Sequence, residues 1–402
     1  MQIRKLEGIM KKIRSLISFL FILVFSIMSV ISADACTGLG ASGSATADGG
    51  TIVTKVRDSY PLGLQWIEVV SPTEGYKYVA IYVASSGCKG GINENGVSIG
   101  ALNRRSSDGS KEGLSEHECT TMILEKSSDA KSAALLMKKI VEEQGRTDGS
   151  GGEGQLVGDP NEFWLFEETG HKFSSYGPII DNVYATANFY QLADLRVYET
   201  EGSGFPRQAR AESLLEEHKG SITLPLMIRF TRDQQMPSDR AFKNDGNIKG
   251  NICNEGYKSR TVSGLINVAS KKCTNFISAA WYTLESPIAS PYIPFYVGIT
   301  EVPEEFGTTT AAETFAKLHL LLYENPEYRD LVLRVWENFE FREIIAALSI
   351  EKEVISLVGA GEEDKAHDLL NNFVKANCEE SLKIANDLIE KITIESEWRI
   401  VK

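Results

Sequence analysis

Cys36 stands directly behind Ala33-Asp34-Ala35, where an uncharged run from Leu16 to Val30 gives way to Cys-Thr-Gly-Leu-Gly. A cut between Ala35 and Cys36 would leave a first residue carrying a thiol and an α-amine together. A thiol titrates near ~8.5 and a free α-amine near ~7.7, so one such residue supplies nucleophile and general base and needs no histidine. The chain has only five histidines, of which His319 and His367 fall in predicted helices, and it contains no G-x-S-x-G elbow and no H-E-x-x-H pair. The chemistry this suggests is attack of a thiolate on an amide carbonyl, followed by release of the acyl-enzyme by water. That reaction needs a carboxylate holding the amine, a cation favouring the thiolate, and donors for the tetrahedral oxyanion, all expected at strand ends.

The same junction sets the compartment. Lys11, Lys12 and Arg14 precede the apolar run, and Ala33 and Ala35 are the small residues read at a signal-peptide cut, so residues 1–35 read as a signal peptide or leader. Met10 offers an alternative start, and an uncleaved membrane anchor is the competing reading. The mature protein is expected to be secreted or extracytoplasmic, touching a membrane only through the leader. Removing that segment's net +3 takes the formal charge from −13 to about −16, an acidic balance that disfavours nucleic acid and anionic lipid. Cys88, Cys119, Cys253, Cys273 and Cys378 form no C-x-x-C, and no histidines stand at ligand spacing, so neither a metal nor another cofactor is expected. Export permits disulfides. Cys253 with Cys273 is the first pair to test, because the segment between them could fold back as a hairpin.

The elements that must position this chemistry follow from the periodicity. "TIVTKV", "LQWIEVV", "KYVAIYVA" and "GVSIGAL", punctuated by Pro61-Leu62-Gly63, Pro72 and Gly90-Gly91, predict an antiparallel sheet. Between Glu116 and Gly145 the apolar spacing becomes helical, and Ser127-Ser128-Asp129 splits it into two helices. "QLVGDPNEFWLFEETGHKF" predicts a hairpin turning at Asp159-Pro160-Asn161-Glu162, with short strands continuing to about Ile299. After Thr308 the pattern is helical to the end. The glycine-rich "DGSGGEG" lacks the Lys-Ser/Thr of a phosphate loop and reads as a flexible loop. Strands, a helix pair and strands again, without βαβ alternation, predict an α+β fold of layered antiparallel sheets.

The stretch "CTGLGASGSATADGGTIVTKVRDS" resembles the mature start of the dipeptidase A family of cysteine N-terminal-nucleophile (Ntn) hydrolases. The resemblance continues through "CTTMILEKSSDAKSAALLMKKIVEEQG", "GDPNEFWLFEETGHKF", "YATANFY", "ICNEGYKSRTVSGLI" and "SAAWYTLESPIASPYIPFYVGITEVP", covering most of residues 36 to about 306. It implies a four-layer αββα sandwich over 36–306 with a helical C-terminal region, 307–402, packed on it. Through the related choloylglycine hydrolase and penicillin V acylase family it further implies that Cys36 attacks and Asp58 orients the amine. Asn103 in "NENGVSIGALN" and Asn188 in "TANFYQ" would be oxyanion donors, and Arg229 in "MIRFTR" the arginine. The chain departs from the family where an arginine usually precedes the aspartate by three residues. Here that place holds Lys55, while Arg57 adjoins Asp58. In a regular strand both face away from Asp58, so a bulge would be needed to bring either beside it, and lysine lacks the bidentate fork of arginine.

Each assignment has a plainer alternative. Cys36 could be a lipoprotein cysteine or a buried thiol, Asp58 a turn carboxylate paired with Lys55, Asn103 and Asn188 loop caps, and Arg229 half of a surface ion pair. The function expected is a secreted hydrolase cleaving dipeptides or small peptides, with Lys55, Arg57 or Arg229 tuning the thiol or holding the substrate's carboxylate. The alternatives are an N-acyl amide hydrolase or acyltransferase and, from another class, a non-catalytic lipid-anchored binding protein. A homo-oligomer is left open.

Overall fold

Among the described residues thirteen strands pair antiparallel into two sheets, as the short β-branched runs require. The computed structural model describes residues 35–59, 64–109, 112–147, 151–200, 204–234, 251–255 and 260–400. The leader expected at 1–35 therefore lies, but for Ala35, outside the described residues. The strands are β1 (Ala35–Ser42), β2 (Thr51–Ser59), β3 (Gln65–Val70), β4 (Tyr78–Val83), β5 (Gly87–Asn93) and β6 (Ser98–Arg105). Helices α1 (Glu116–Lys126) and α2 (Ala130–Gln144) follow. The chain continues with β7 (Gly151–Gly158), β8 (Phe163–Thr169), β9 (Lys172–Ile179) and β10 (Val183–Thr186), then α3 (Phe205–Glu217) and α4 (Leu224–Thr231). It closes with β11 (Arg260–Ala269), β12 (Ala279–Thr283), β13 (Ile293–Tyr296), α5 (Thr310–Glu324), α6 (Arg329–Gly359) and α7 (Glu363–Ile400).

One sheet runs β10-β1-β2-β11-β12-β13 and the other β3-β4-β5-β6-β7-β8-β9. They stack closely because small residues on β1 admit large ones from opposite. A Cβ on Gly40 would stand 2.4 Å from the Phe163 ring, and one on Gly38 would stand 3.0 Å from Leu156. Helices α1 and α2 cover the outer face of the seven-stranded sheet, packing Ile123, Met137 and Ile140 with Ile99, Val157 and Phe166. Their break is set at Asp129, whose side chain accepts from the N–H of Ser132 in a capping box. Helices α3 to α7 pack with the six-stranded sheet, so that Leu215, Phe315, Trp336 and Leu370 share one core with Leu39, Val56 and Phe295. The expected αββα order and helical C-terminal region are thus both present. Among the described residues no helix is long and apolar enough to cross a membrane.

The structure corrects three expectations. The segment read as short strands up to Ile299 contains α3 and α4. The glycines read as a loop open β7 from Gly151 onward. Gly152 and Gly154 are required there because a Cβ would fall 1.9 Å from the Tyr190 hydroxyl and 2.3 Å from the Arg104 guanidinium. Cys253 and Cys273 are not bonded, and none of the six cysteines forms a disulfide. The whole of β11 lies between those two, and its ten residues at ~3.3 Å each hold them roughly 30 Å apart along the chain.

Candidate active site

Cys36 is the second residue of β1, which pairs with β2 on one side and β10 on the other. Its register partner on β2 is Arg57, and Gly38 pairs with Lys55. Side chains alternate along a strand, so Cys36, Gly38 and Gly40 share the face turned to the second sheet. Lys55 and Arg57 lie on that same face, since a Cβ on Gly100 of β6 would meet the Lys55 side chain at 3.1 Å. Asp58 therefore points to the opposite, helix-covered face. There its Oδ1 accepts the Thr261 hydroxyl at 2.6 Å. The bulge anticipated in β2 is absent: β2 pairs regularly with β1 throughout, and the register shift falls in β11, between Thr261 and Ser263. Facing away from Asp58 is what puts both cations on the thiol's side of the sheet.

Asn188, just past the end of β10, ties the cluster together. Its Oδ1 accepts the Cys36 N–H at 2.6 Å and Arg207 Nη2 at 2.8 Å, and its Nδ2 donates to the Asn103 carbonyl at 3.0 Å. Two pure donors on one end and a pure acceptor on the other leave only this orientation of the amide. One hydrogen on Nδ2 remains for a further acceptor. Asn103 enters the cluster through its main chain, while alternation along β6 sets its side chain on the face opposite Leu102 and Arg104.

Arg207, on the first turn of α3, was not anticipated. It donates from Nη1 to the Cys36 carbonyl at 2.5 Å and to the Thr37 hydroxyl at 2.7 Å. Arg229, the arginine expected here, stands exposed on α4 and makes none of these contacts. The sequence held one signal for Arg207: a cation in the first turn opposes the helix dipole and calls for a compensating partner. Gly204, at φ +89°, makes room for it, since a Cβ there would stand 2.6 Å from Arg207 Nη2.

Between the sheets lies a cationic patch. The β5–β6 pairing extends only over Gly90–Ile92, and Lys89 is an extra residue where the β4–β5 register shifts. Such bulges re-aim side chains at sheet openings. Lys89 is ion-paired to Glu116 on the first turn of α1, Lys55 Nζ lies 3.7 Å from the same carboxylate, and Lys55 also donates to the Lys89 carbonyl at 3.1 Å. Burial opposes both charges of the Lys89–Glu116 pair. Their mutual attraction wins, holding the ammonium above and the carboxyl below its ordinary range. Arg57 donates from Nη2 to Ser59 at 3.1 Å, and its buried Nη1 has no hydrogen-bond partner among the described residues.

The other thiols are poorly suited to attack. Burial pushes Cys88 and Cys119 up to about 12 and carries Cys253 and Cys378 well above the ordinary range. Among the described residues no cluster of histidine, cysteine or carboxylate side chains could hold a metal ion.

No family model and no curated protein matches the chain. Among solved structures it is similar to a mutant conjugated bile acid hydrolase from Clostridium perfringens, with 12% identity and a TM-score of 0.40, over 65% of this chain and 92% of that one. It is also similar to a penicillin V acylase from Agrobacterium tumefaciens, with 13% identity and a TM-score of 0.44, over 68% of this chain and 89% of that one.

Proposed function

We propose that the protein is a cysteine amide hydrolase whose nucleophile is Cys36 after removal of residues 1–35, and that its substrates are dipeptides or similar small peptides. The observation that carries the reading is the convergence on Cys36 of Asn188, Arg207 and, in register, Arg57.

Cleavage before Cys36 would turn a strand amide into an α-amine at the tip of β1. Ala35 is the register partner of Asp58, so loss of Ala35 leaves the amine beside that carboxylate, in the plane of the sheet. The thiol stands on one face and the Asp58 carboxylate on the other, and the amine lies between them. The amine takes the thiol proton and Sγ attacks the carbonyl. The free hydrogen of Asn188 Nδ2 stabilises the oxyanion, and the amine returns its proton to the leaving nitrogen. Water then releases the acyl group by the same route in reverse. Arg207 fixes the Cys36 carbonyl and Asn188 together and so sets the angle of attack.

Arg57 Nη1, which has no hydrogen-bond partner among the described residues, lies with Lys55 and Lys89 near Glu116, and this excess of cations favours a substrate bearing a carboxylate. An N-acyl amino acid shares that carboxylate and is the second reading. The test is a protein beginning at Cys36, assayed on dipeptides, dipeptide amides and N-acyl amino acids. Hydrolysis of free dipeptides that drops sharply for their amides supports the reading. Turnover of N-acyl substrates alone selects the second. A secreted form carrying a diacylglycerol on Cys36 would make the protein a lipid-anchored binder instead.

A further inference from the structure

The C-terminal helical region carries a buried histidine, beside its apolar contacts with the sheet, that the mechanism above does not use. His319 of α5 sets Nε2 2.5 Å from Glu255 and Nδ1 3.1 Å from Glu285. Both ring nitrogens face carboxylates, so both carry hydrogen and the ring is an imidazolium. Glu255 takes a further bond from the Ser286 hydroxyl at 2.5 Å, and Ser286 N–H donates to Glu285 at 3.1 Å. Arg329 at the start of α6 is a second cation whose field favours the Glu255 carboxylate. Three separate stretches of chain are thereby clamped: helix α5, the turn after β12, and residues 251–255 ahead of β11.

That last stretch leads to the site. Asn254 adjoins Glu255 and brackets Thr261: its N–H donates to the Thr261 hydroxyl at 2.8 Å, and its carbonyl accepts the Thr261 N–H at 2.6 Å. The Thr261 hydroxyl accepts from Asn254 and donates its own hydrogen to the carboxylate oxygen Asp58 Oδ1, 2.6 Å away. Thr261, Asp58 and Ala35 lie in one row across β11, β2 and β1. The path from helix α5 to the tip of β1 is therefore continuous: His319, Glu255, Asn254, Thr261, Asp58.

We propose that His319 is a positioning residue for the reaction: by clamping Glu255 it fixes the Asn254–Thr261 pair that orients Asp58, and so couples the C-terminal helices to the amine of Cys36. This rests on the function proposed above. Small displacements of a catalytic group cost large factors in rate, which is why a clamp outside the site can matter.

The test uses the protein beginning at Cys36, comparing wild type with His319→Gln, Thr261→Val, Thr261→Ser and the double variant His319→Gln/Thr261→Val. Two quantities are read: kcat with KM, and the pH midpoint for alkylation of Cys36 by iodoacetamide, which needs no substrate. The proposal expects His319→Gln to lower kcat about tenfold with KM within about twofold, and to shift the alkylation midpoint by at least about half a unit. Thr261→Val should do the same, Thr261→Ser should restore both, and the double variant should be no worse than the poorer single one. An unchanged midpoint in folded His319→Gln, or fully additive losses, overturns it. Should His319→Gln not fold, Glu285→Gln loosens only the Nδ1 side and is read by the same two measurements. Absence of wild-type hydrolysis would overturn the proposed function, while the alkylation midpoint would still decide the coupling.

Discussion

Asn188 offers the sharpest perturbation, because one amide serves three partners. Asn188→Ala removes the acceptor for the Cys36 nitrogen and for Arg207, and the donor to the Asn103 carbonyl. Arg207 keeps its bonds to the Cys36 carbonyl and Thr37, so the groups that lose a partner outright are the buried Cys36 nitrogen and the half-buried Asn103 carbonyl. At about 1–3 kcal/mol for the buried nitrogen and less for the half-buried carbonyl, stability falls by roughly 1–4 kcal/mol, enough to lower the thermal midpoint by several degrees. Loss of one oxyanion donor costs about 10²–10³ in kcat, equivalent to about 2.7–4 kcal/mol. Asn188→Asp separates the two effects. It keeps acceptors for Cys36 and Arg207 but sets an oxygen where Nδ2 was, against the Asn103 carbonyl and the developing oxyanion. Its kcat should fall at least as far as that of the alanine variant. The assay is steady-state hydrolysis normalised to the fraction of Cys36 that alkylates, with circular dichroism to confirm folding. A folded Asn188→Ala protein whose kcat stays within about threefold of wild type would refute the oxyanion assignment.

Three further outcomes are expected. Gly204→Ala forces a Cβ at φ +89° to within 2.8 Å of the Ala187 Cβ and into the Arg207 guanidinium, so it should destabilise the protein by about 1 kcal/mol or more and lower kcat, read by thermal melting and kinetics. Glu116→Gln leaves Lys89 and Lys55 without their carboxylate, and a broken buried ion pair costs about 3–5 kcal/mol, seen as a large drop in thermal midpoint; an unshifted midpoint would contradict the pairing. Stability should also depend on pH through the His319–Glu255 pair. Burial opposes the imidazolium, but Glu255 and Glu285 raise it from 6.5 to about 9, so its contribution is complete below about 6.5 and lost as pH rises through about 9. Burial likewise opposes the Glu255 charge, yet His319 lowers it from 4.5 to about 2, so its contribution is complete above about 4.5 and lost as pH falls through about 2. The thermal midpoint should thus plateau between about 4.5 and 6.5, and His319→Gln should flatten the alkaline limb.

How much of this could be read from residues alone depended on what each contact is made of. Strand parity placed Lys55 and Arg57 away from Asp58, and that parity is what turns both toward Cys36's face. Asn188 was legible only through the family resemblance at "TANFYQ", and its side chain does make the contacts at Cys36. Asn103 was harder, because its contact is a main-chain carbonyl, which no side-chain pattern announces. Arg229 was chosen on a local Arg-Phe match, yet the turn of α4 exposes it; Arg207 reaches Cys36 from 171 residues away, and only its position against a helix dipole hinted at a partner. The glycines at 151–154 looked like a loop because their reason for being small lies in Tyr190 and Arg104 on other elements. The His319 clamp joins parts of the chain 34 and 64 residues apart, and nothing in local spacing links them.

The most direct measurement is an intact mass and N-terminal peptide map of the active, naturally processed protein before and after one equivalent of iodoacetamide. The account predicts a chain whose first residue is Cys36, one adduct placed on that residue, and loss of amide hydrolysis in proportion to it. An active protein that begins at any other residue, or that keeps its turnover with Cys36 fully alkylated, would contradict it.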